Sequence, residues 1–452
     1  MHRPSAGTWL LMLFIGLLSL SALWWWPVAR DLAAVGTGYG AKALCSAVFI
    51  SERDSAEVLE TDLSDLPGIV TTHVNEGART VTASVGPVTR TARYREGLGC
   101  TLALADIEEM SVERPAVNSD KTRDLMKVPA DDPLRLALGP VLETAFSEPV
   151  HDWERGTRAI VVLHRGRIVA ERYAPGFDAD TPLPGWSMAK SVTNALAGIV
   201  LKRGKLALDD TVPGWTEAGD GREQVTVQHL LQMTSGLEFG EEHVFPLGDS
   251  LRMLFAEPDA AAFVRDLPMG AAPGTRWEYT SGTTNLLMWV LREALEPEAD
   301  WLAFPREVLF EPLGMHSAVL EPDAYGTFLG SSFMFATARD WARFGQLYLQ
   351  DGQWDGEQIL PEGWVALTRQ PAPHAPKGRY GAHFWLNRGD PETGERPWPK
   401  LPDDAYAALG YQGQEIVIVP SEELVAVRLG LSRPSEAWDR ERFVGGVIEL
   451  LR

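Results

Sequence analysis

The chain has 452 residues and a formal net charge of −21; 45% are apolar, 23% are charged and two are Cys. That composition is ordinary globular, and it excludes a disordered chain, a collagen-like chain and a disulfide scaffold. The acidic balance argues against a nucleic-acid partner, whose phosphates demand clustered Lys and Arg, and the length allows about two to three domains.

Residues 9–26 (WLLMLFIGLLSLSALWWW) carry no charge and just reach the length of a bilayer-spanning helix. Trp24, Trp25 and Trp26 stand where an interfacial aromatic belt would lie, and Pro27 is expected to stop the pattern. A cleaved signal peptide is the competing reading. Its apolar stretch would be shorter and followed by a small-x-small site, and none follows closely. The expectation is a retained anchor. Arg3 and Arg30 flank the run and leave its orientation open. Cys45 and Cys100 bear on that question. A single pair in one small region fits one disulfide, which persists only in an oxidising compartment. Closing a loop of about 55 residues would constrain the unfolded chain by roughly 3–4 kcal/mol. Two buried free thiols are the alternative. With the disulfide, the body of the chain lies outside the cytoplasm, on the periplasmic side of an inner membrane. Two Cys at this distance lack a CxxC pair or a neighbouring His, so no metal site is expected.

Residues 32–107 read as a small α/β module. There, 81–85 (VTASV) alternates as a strand, Gly86-Pro87 turns, and 88–94 continues as a second strand. Residues 108–132 are polar, contain two Pro and read as a linker. From 133 to 452 the chain reads as one unit. Residues 134–146 have helical spacing. Residues 159–164 (AIVVLH) and 167–174 form a hairpin about Arg165-Gly166. Residues 187–202 are apolar and helical. Residues 415–419 (EIVIV) and 423–429 form a second hairpin about Pro420-Ser421, and 443–451 is a closing helix. Hairpins at both ends with helices between them predict an α+β fold, an antiparallel β-sheet flanked by helices rather than a parallel βαβ array.

The first candidate for chemistry is Ser187-Met188-Ala189-Lys190. On a helix, positions i and i+3 share a face, so the Lys amine would lie beside the Ser hydroxyl. A serine is a poor nucleophile until a base takes its proton, and a lysine serves once burial lowers its pKa. The competing reading is a capped helix with a surface Lys. Met188, Ala189 and Val192 surround this Lys with apolar side chains and favour the first. Gly185-x-Ser187-x-Ala189 also approaches a nucleophile elbow, but that elbow needs a preceding strand, and 176–184 reads as a loop. The second candidate is Tyr279 in Tyr279-Thr280-Ser281, whose hydroxyl can shuttle a proton; its alternative is a half-buried loop aromatic. The third is Gly410-Tyr411-Gln412-Gly413-Gln414, a Gly-rich strand edge able to supply an oxyanion-hole N–H or simply a turn. His229, His316 and His383 follow Ser187 as a Ser-Asp-His order would need, without a recognisable loop signature. No H-E-x-x-H motif occurs.

Taken in order, Trp186 with Ser187-Met188-Ala189-Lys190-Ser191, then His229 to Leu237 (HLLQMTSGL), Pro273-Gly274-Thr275 leading to Tyr279-Thr280-Ser281, Thr337-Ala338-Arg339-Asp340 with Phe344-Gly345, and Gly410 to Gln414 resemble the serine β-lactamase-related hydrolases. The resemblance covers about 150–452. It is nearest in kind to the class C β-lactamase and DD-carboxypeptidase branch, and within it to 6-aminohexanoate-dimer hydrolases and their esterase relatives. It implies a sheet with an inserted helical subdomain, Ser187 as acyl-enzyme nucleophile, Lys190 as base and Tyr279 as proton shuttle. It also implies an oxyanion hole from the N–H groups of Ser187 and Gln414, and no metal or organic cofactor. Trp186, Ser281, Trp385, Tyr411 and Gly413 would line the substrate pocket; ordinary core or rim aromatics are the alternative for Trp186, Trp385 and Tyr411. Two positions depart from the pattern. Ser281 stands where β-lactamases carry the Asn of Tyr-x-Asn, and Tyr411-Gln412-Gly413 replaces Lys-Thr-Gly, whose Lys holds a β-lactam carboxylate. The expected function is an anchored extracytoplasmic serine hydrolase acting on a small ester or amide. The alternatives are a non-catalytic domain binding peptidoglycan fragments on the same fold, or a true β-lactamase or DD-peptidase.

Overall fold

A mostly apolar, Leu- and Ala-rich segment forms one long helix, Ala6–Phe49, with Pro27 inside it. The computed structural model describes residues 6–105, 125, 127–149, 153–217, 219–241, 248–295, 300–390 and 392–452, with side chains from Trp25 onward. Pro27 does not stop the helix as expected. It deletes one main-chain hydrogen bond, while packing downstream holds the rest: Ala41, Leu44 and Cys45 are buried against Val81, Ala83, Ala92 and Cys100. The expected boundary at residue 32 therefore falls inside a continuous helix. The segment Trp25–Phe49 is long and apolar enough to cross a bilayer, yet 61% of its most apolar 18-residue stretch is buried in the protein. The side chains of 9–24, most of the expected span, lie outside those described.

The helix packs on a four-stranded antiparallel meander, Thr71–Asn75, Thr80–Val85, Val88–Arg95 and Gly99–Leu102. Gly86 at φ +53 makes the predicted turn between the middle strands. Cys45 and Cys100 are bonded and fully buried. This is the small α/β module expected from the sequence. Most of the expected linker lies outside the described residues; at its end Val128 N donates to Ile168 O at 3.0 Å, tying the chain to the next unit.

The larger unit is built on a six-stranded antiparallel sheet, in spatial order Trp385–Leu386, Tyr406–Gly410, Gln414–Val419, Leu424–Gly430, Thr157–His164 and Arg167–Tyr173. The two predicted hairpins meet in its middle, where Val427 faces Val161. Side chains alternate across a strand. Val161, Leu163, Ile416, Ile418, Val425 and Val427 enter the main core, whereas Ile160, Val162, Val417, Val419 and Ala426 face the opposite one. Both faces are covered, so these strands read as near-continuous apolar runs. Helices Gly139–Phe146 and Arg440–Leu451 cover one face; Met188–Lys202 and Ala338–Leu349 cover the other. The predicted helix at 134–146 is two short ones, Pro133–Ala137 and Gly139–Phe146, restarting at Gly139-Pro140. Between them lies the inserted helical subdomain, including Val227–Leu231, Asp249–Phe255, Ala260–Arg265 and Ser281–Leu295. The fold is β-lactamase/transpeptidase-like.

The module is fastened to this unit. Lys42 and Glu321, both fully buried, lie 2.5 Å apart. Glu321 also accepts from Cys100 N and Ser46 Oγ. Gly38 is obligatory because a Cβ there would stand 1.9 Å from Phe255 O.

Candidate active site

Two residues set the start of the serine helix. At Gly185 a Cβ would stand 2.4 Å from the Trp341 ring, so no larger residue fits. Trp186 follows at φ +47, a left-handed conformation that is costly for a bulky side chain. The kink places Ser187 at the first turn of Met188–Lys202, half-buried and making no capping bond with its hydroxyl. The segment before it, read as a loop, ends in a two-residue strand, Leu183–Pro184, paired with Phe335 and Ala336. That strand belongs to a small three-stranded sheet and not to the central one, so no nucleophile elbow forms. From below, Asn194 locks the helix. Its Nδ2 donates to Ala382 O (2.9 Å) and Thr368 Oγ1 (3.2 Å), and its Oδ1 accepts from Tyr348 OH (2.6 Å) and Trp364 Nε1 (2.9 Å). A buried amide satisfied in this way is rigid.

Lys190 is 1% exposed. Its Nζ lies 3.1 Å from Ser187 Oγ, 3.0 Å from Ser281 Oγ and 3.1 Å from Ser331 O. Burial brings its pKa down from 10.5 to about 8, against the opposing pull of the Glu241 carboxylate. The Tyr279 ring lies 4.8 Å from the same Nζ. Burial pushes the Tyr279 hydroxyl above its ordinary 10.0, with the Glu241 charge adding to the rise and a hydrogen bond with Ser187 opposing it. Tyr279 is therefore a protonated phenol across the neutral range. Four predicted residues, Ser187, Lys190, Tyr279 and Ser281, thus form one cluster. Ser281 opens the helix Ser281–Leu295, and Glu241 caps that end: Ser281 N donates to Glu241 Oε2 (2.6 Å) and Ser281 Oγ to Glu241 Oε1 (2.7 Å).

The third motif lies beside the serine. A Cβ on Gly410 would meet Gly185 O at 2.1 Å, so this strand end abuts the loop that delivers Ser187. Residues Tyr411–Gly413 form a tight turn with Gln412 at φ +60 and Gly413 at φ +77. Arg428, fully buried, holds the turn from behind by donating to Gln412 O (3.0 Å) and Gly413 O (2.9 Å). The Gln414 side chain is pinned, accepting from Gly430 N at 2.9 Å and donating to Tyr411 O at 3.1 Å. The Trp186 and Tyr411 rings meet edge to face at 5.8 Å, and Trp385 packs on Tyr279 at 5.3 Å. A Cβ on Gly413 would stand 2.6 Å from Arg428 Nη1 and 3.1 Å from Ser432 Oγ, so the turn leaves no room for a side chain there.

The histidines have other partners. His229 caps its own helix through Thr226. His316 stands 3.5 Å from Glu311. His383 is buried beneath the site, held at about 3 by desolvation with the Lys190 charge adding to the drop, and is neutral. Among the described residues, no group of three or more His, Cys, Asp or Glu is arranged to hold a metal ion. Glu241, Ser331 and Arg428 escaped the sequence reading. Each acts from a distant stretch of chain, and none carries a local motif.

An antiparallel sheet with an inserted helical subdomain, and a Ser-x-x-Lys helix buried at their junction, define the class: a serine hydrolase. The beta-lactamase family model matches residues 142–442. The chain belongs to the beta-lactamase family. It is 23% identical over 307 residues to a 6-aminohexanoate-dimer hydrolase of Paenarthrobacter ureafaciens, covering 61% of this chain and 73% of that protein. Among solved structures it resembles a family VIII carboxylesterase (TM-score 0.54, 15% identity, 72% of this chain and 97% of the other). It also resembles a penicillin-binding protein homologue from Caulobacter crescentus (TM-score 0.52, 18% identity, 72% and 98%).

Proposed function

We propose that this protein is a membrane-anchored, extracytoplasmic serine hydrolase that cleaves a small ester or amide through an acyl-enzyme on Ser187. The observation that carries the reading is the Lys190 amine, 3.1 Å from the Ser187 hydroxyl, with its pKa brought to about 8 by burial. Neutral Lys190 takes the Ser187 proton as the hydroxyl attacks the substrate carbonyl. The N–H groups of Ser187 and Gln414 hold the developing oxyanion. Tyr279, protonated and hydrogen-bonded with Ser187, gives its proton to the leaving group as the Lys190 ammonium returns the Ser187 proton to it, so both regain their starting states. Water then hydrolyses the acyl-enzyme by the reverse proton path. Trp186, Tyr411 and Trp385 border the acyl or leaving group. The hydrolase and carboxylesterase relatives support the ester or amide class. Anchoring through residues 9–26 rests on their uncharged run, and the periplasmic side of an inner membrane on the buried disulfide.

Fluorophosphonate labelling of the detergent-solubilised chain, with the adduct located by mass spectrometry, tests the reading. Ser187 should be labelled, and Lys190→Ala and Tyr279→Phe should each slow labelling at least tenfold. A folded wild-type protein that takes no label would overturn the reading and favour a non-catalytic ligand-binding role.

A further inference from the structure

The neighbours of Lys190 Nζ differ in what they can do. Ser331 offers a carbonyl oxygen, which only accepts. Ser187 and Ser281 offer hydroxyls, which can accept or donate. A neutral amine has two hydrogens and one lone pair, and it works as a base only if the lone pair faces the Ser187 hydroxyl. Nothing in the Lys190–Ser281 contact alone ensures this, because a freely rotating Ser281 hydroxyl can donate to the amine and occupy its lone pair.

Glu241 removes that freedom. We infer that Glu241 is a positioning residue that acts on Lys190 through Ser281, fixing the direction of the hydrogen-bond chain so that the amine lone pair is left for Ser187. A carboxylate only accepts, so the Ser281 hydroxyl hydrogen points to Glu241 Oε1, 2.7 Å away. The Ser281 main-chain N–H, 2.6 Å from Oε2, holds the carboxylate in register. Ser281 Oγ can then only accept from Lys190. The two amine hydrogens go to Ser281 Oγ and Ser331 O, and the lone pair faces Ser187. The Ser331 carbonyl is itself fixed: Ser331 N donates to Asn285 Oδ1 at 3.1 Å, and neighbouring Gly330 O accepts from Thr193 Oγ1 on the serine helix. The inference rests on reading Ser187 as nucleophile and Lys190 as base.

The charged and titratable groups facing Lys190 are Glu241, Tyr279 and His383. His383 is neutral, and Tyr279 is protonated. Glu241 is the one anion of the three, and it raises the Lys190 pKa. Removing its charge lowers that pKa further. Glu241→Gln should therefore have two effects of opposite sign. Its single side-chain oxygen takes the Ser281 N–H, and its amide donates to Ser281 Oγ. The hydroxyl hydrogen is then released toward Lys190, and kcat falls. At the same time the acidic limb of the pH–kcat/KM profile moves to lower pH.

The test uses the full chain in detergent, p-nitrophenyl acetate and butyrate as probes, and E241Q, Glu241→Ala, S281A and the E241Q/S281A double variant, with folding checked by circular dichroism. In E241Q, kcat should fall about 10–100-fold, part of the 10²–10⁴ that general-base catalysis contributes, with the acidic limb displaced downward. Glu241→Ala should repeat both effects. Because Glu241 acts through Ser281, the double variant should be no slower than the slower single one. A folded E241Q or Glu241→Ala with wild-type kcat and profile overturns the inference, as do additive losses in the double variant. A merely structural role would lower the active fraction without moving the limb. Wild-type protein not labelled at Ser187 is a different result: it overturns the reading of the site itself and this inference with it.

Discussion

Substituting Lys42 by Met leaves the Glu321 carboxylate uncompensated in the interior. Both partners are essentially fully buried (1% and 0% exposed) and 2.5 Å apart. Burial pushes each toward its neutral form, Lys42 down and Glu321 up, and their mutual attraction opposes both shifts. Breaking such a pair from one side costs about 3–5 kcal/mol. Protonation of Glu321 limits the cost. With Lys42 gone, the folded-state pKa of Glu321 rises further above its unfolded 4.5. The folded state then holds a proton that the unfolded state has lost, so stability is retained at low pH and lost as pH rises above about 4.5. The deficit should be small near pH 4 and full at pH 8. Melting of the full chain in mild detergent reads it out. At about 2 °C per kcal/mol for a unit of this size, Lys42→Met should lower Tm by roughly 6–10 °C at pH 8. Lys42→Met/Glu321→Gln removes the orphaned charge and should recover at least half of that. A loss below about 2 °C at pH 8, or a double variant no better than the single one, would refute the view that this pair fastens the N-terminal module to the catalytic unit.

The pH–rate profile should rise with pH through about 8, where Lys190 loses its proton, and show no falling limb from Tyr279 below its ordinary 10.0, since burial holds that phenol protonated. Arg428→Lys keeps a charge but cannot hold the Gln412 and Gly413 carbonyls as a planar fork does; kcat should fall about 10–100-fold with KM little changed, measured on p-nitrophenyl esters. Cys45→Ser/Cys100→Ser should cost roughly 3–4 kcal/mol by chain entropy, read as a lower Tm and faster proteolysis between residues 50 and 100. Nitrocefin should be turned over at least 100-fold less efficiently than p-nitrophenyl butyrate, because Tyr411 offers its carboxylate no cation and Glu241 adds an anion beside the site.

The central sheet was legible because its strands obey local rules. The runs at 159–164 and 415–419 are apolar, β-branched and bounded by turns. Arg165 at φ +51 and Gly166 at φ +69 make the tight turn that the Arg-Gly pair signals. What local rules do not state is who pairs with whom across the chain. The register of Val427 on Val161 joins strands more than 250 residues apart, and only the shared need to bury both faces brings them together. The helix end at Pro27 failed for the converse reason. Proline carries an intrinsic penalty of about 3 kcal/mol in a helix interior, but the helix continues past it because the face beyond, Ala41, Leu44 and Cys45, is buried against the meander.

The site divides in the same way. Ser187 and Lys190 were readable because one helical turn sets their separation, and Tyr279 because its motif lies in family order. Glu241, Ser331 and Arg428 reach the cluster through tertiary packing, from segments 54 to 241 residues away in sequence from Ser187, and nothing in their own neighbourhoods marks them. Yet they decide what the readable residues can do. A Ser-x-x-Lys turn supplies a hydroxyl and an amine but does not say which way the hydrogens run between them. That direction is set by acceptors that cannot donate: the Ser331 carbonyl and, through Ser281, the Glu241 carboxylate. The departure from Asn to Ser at position 281 is intelligible on these terms. An Asn amide presents an oxygen and an amino group on opposite sides and so carries its own polarity, whereas a serine hydroxyl rotates and must borrow polarity from a neighbour. A serine at 281 therefore calls for a fixed acceptor beside it, and Glu241 is the residue the fold places there.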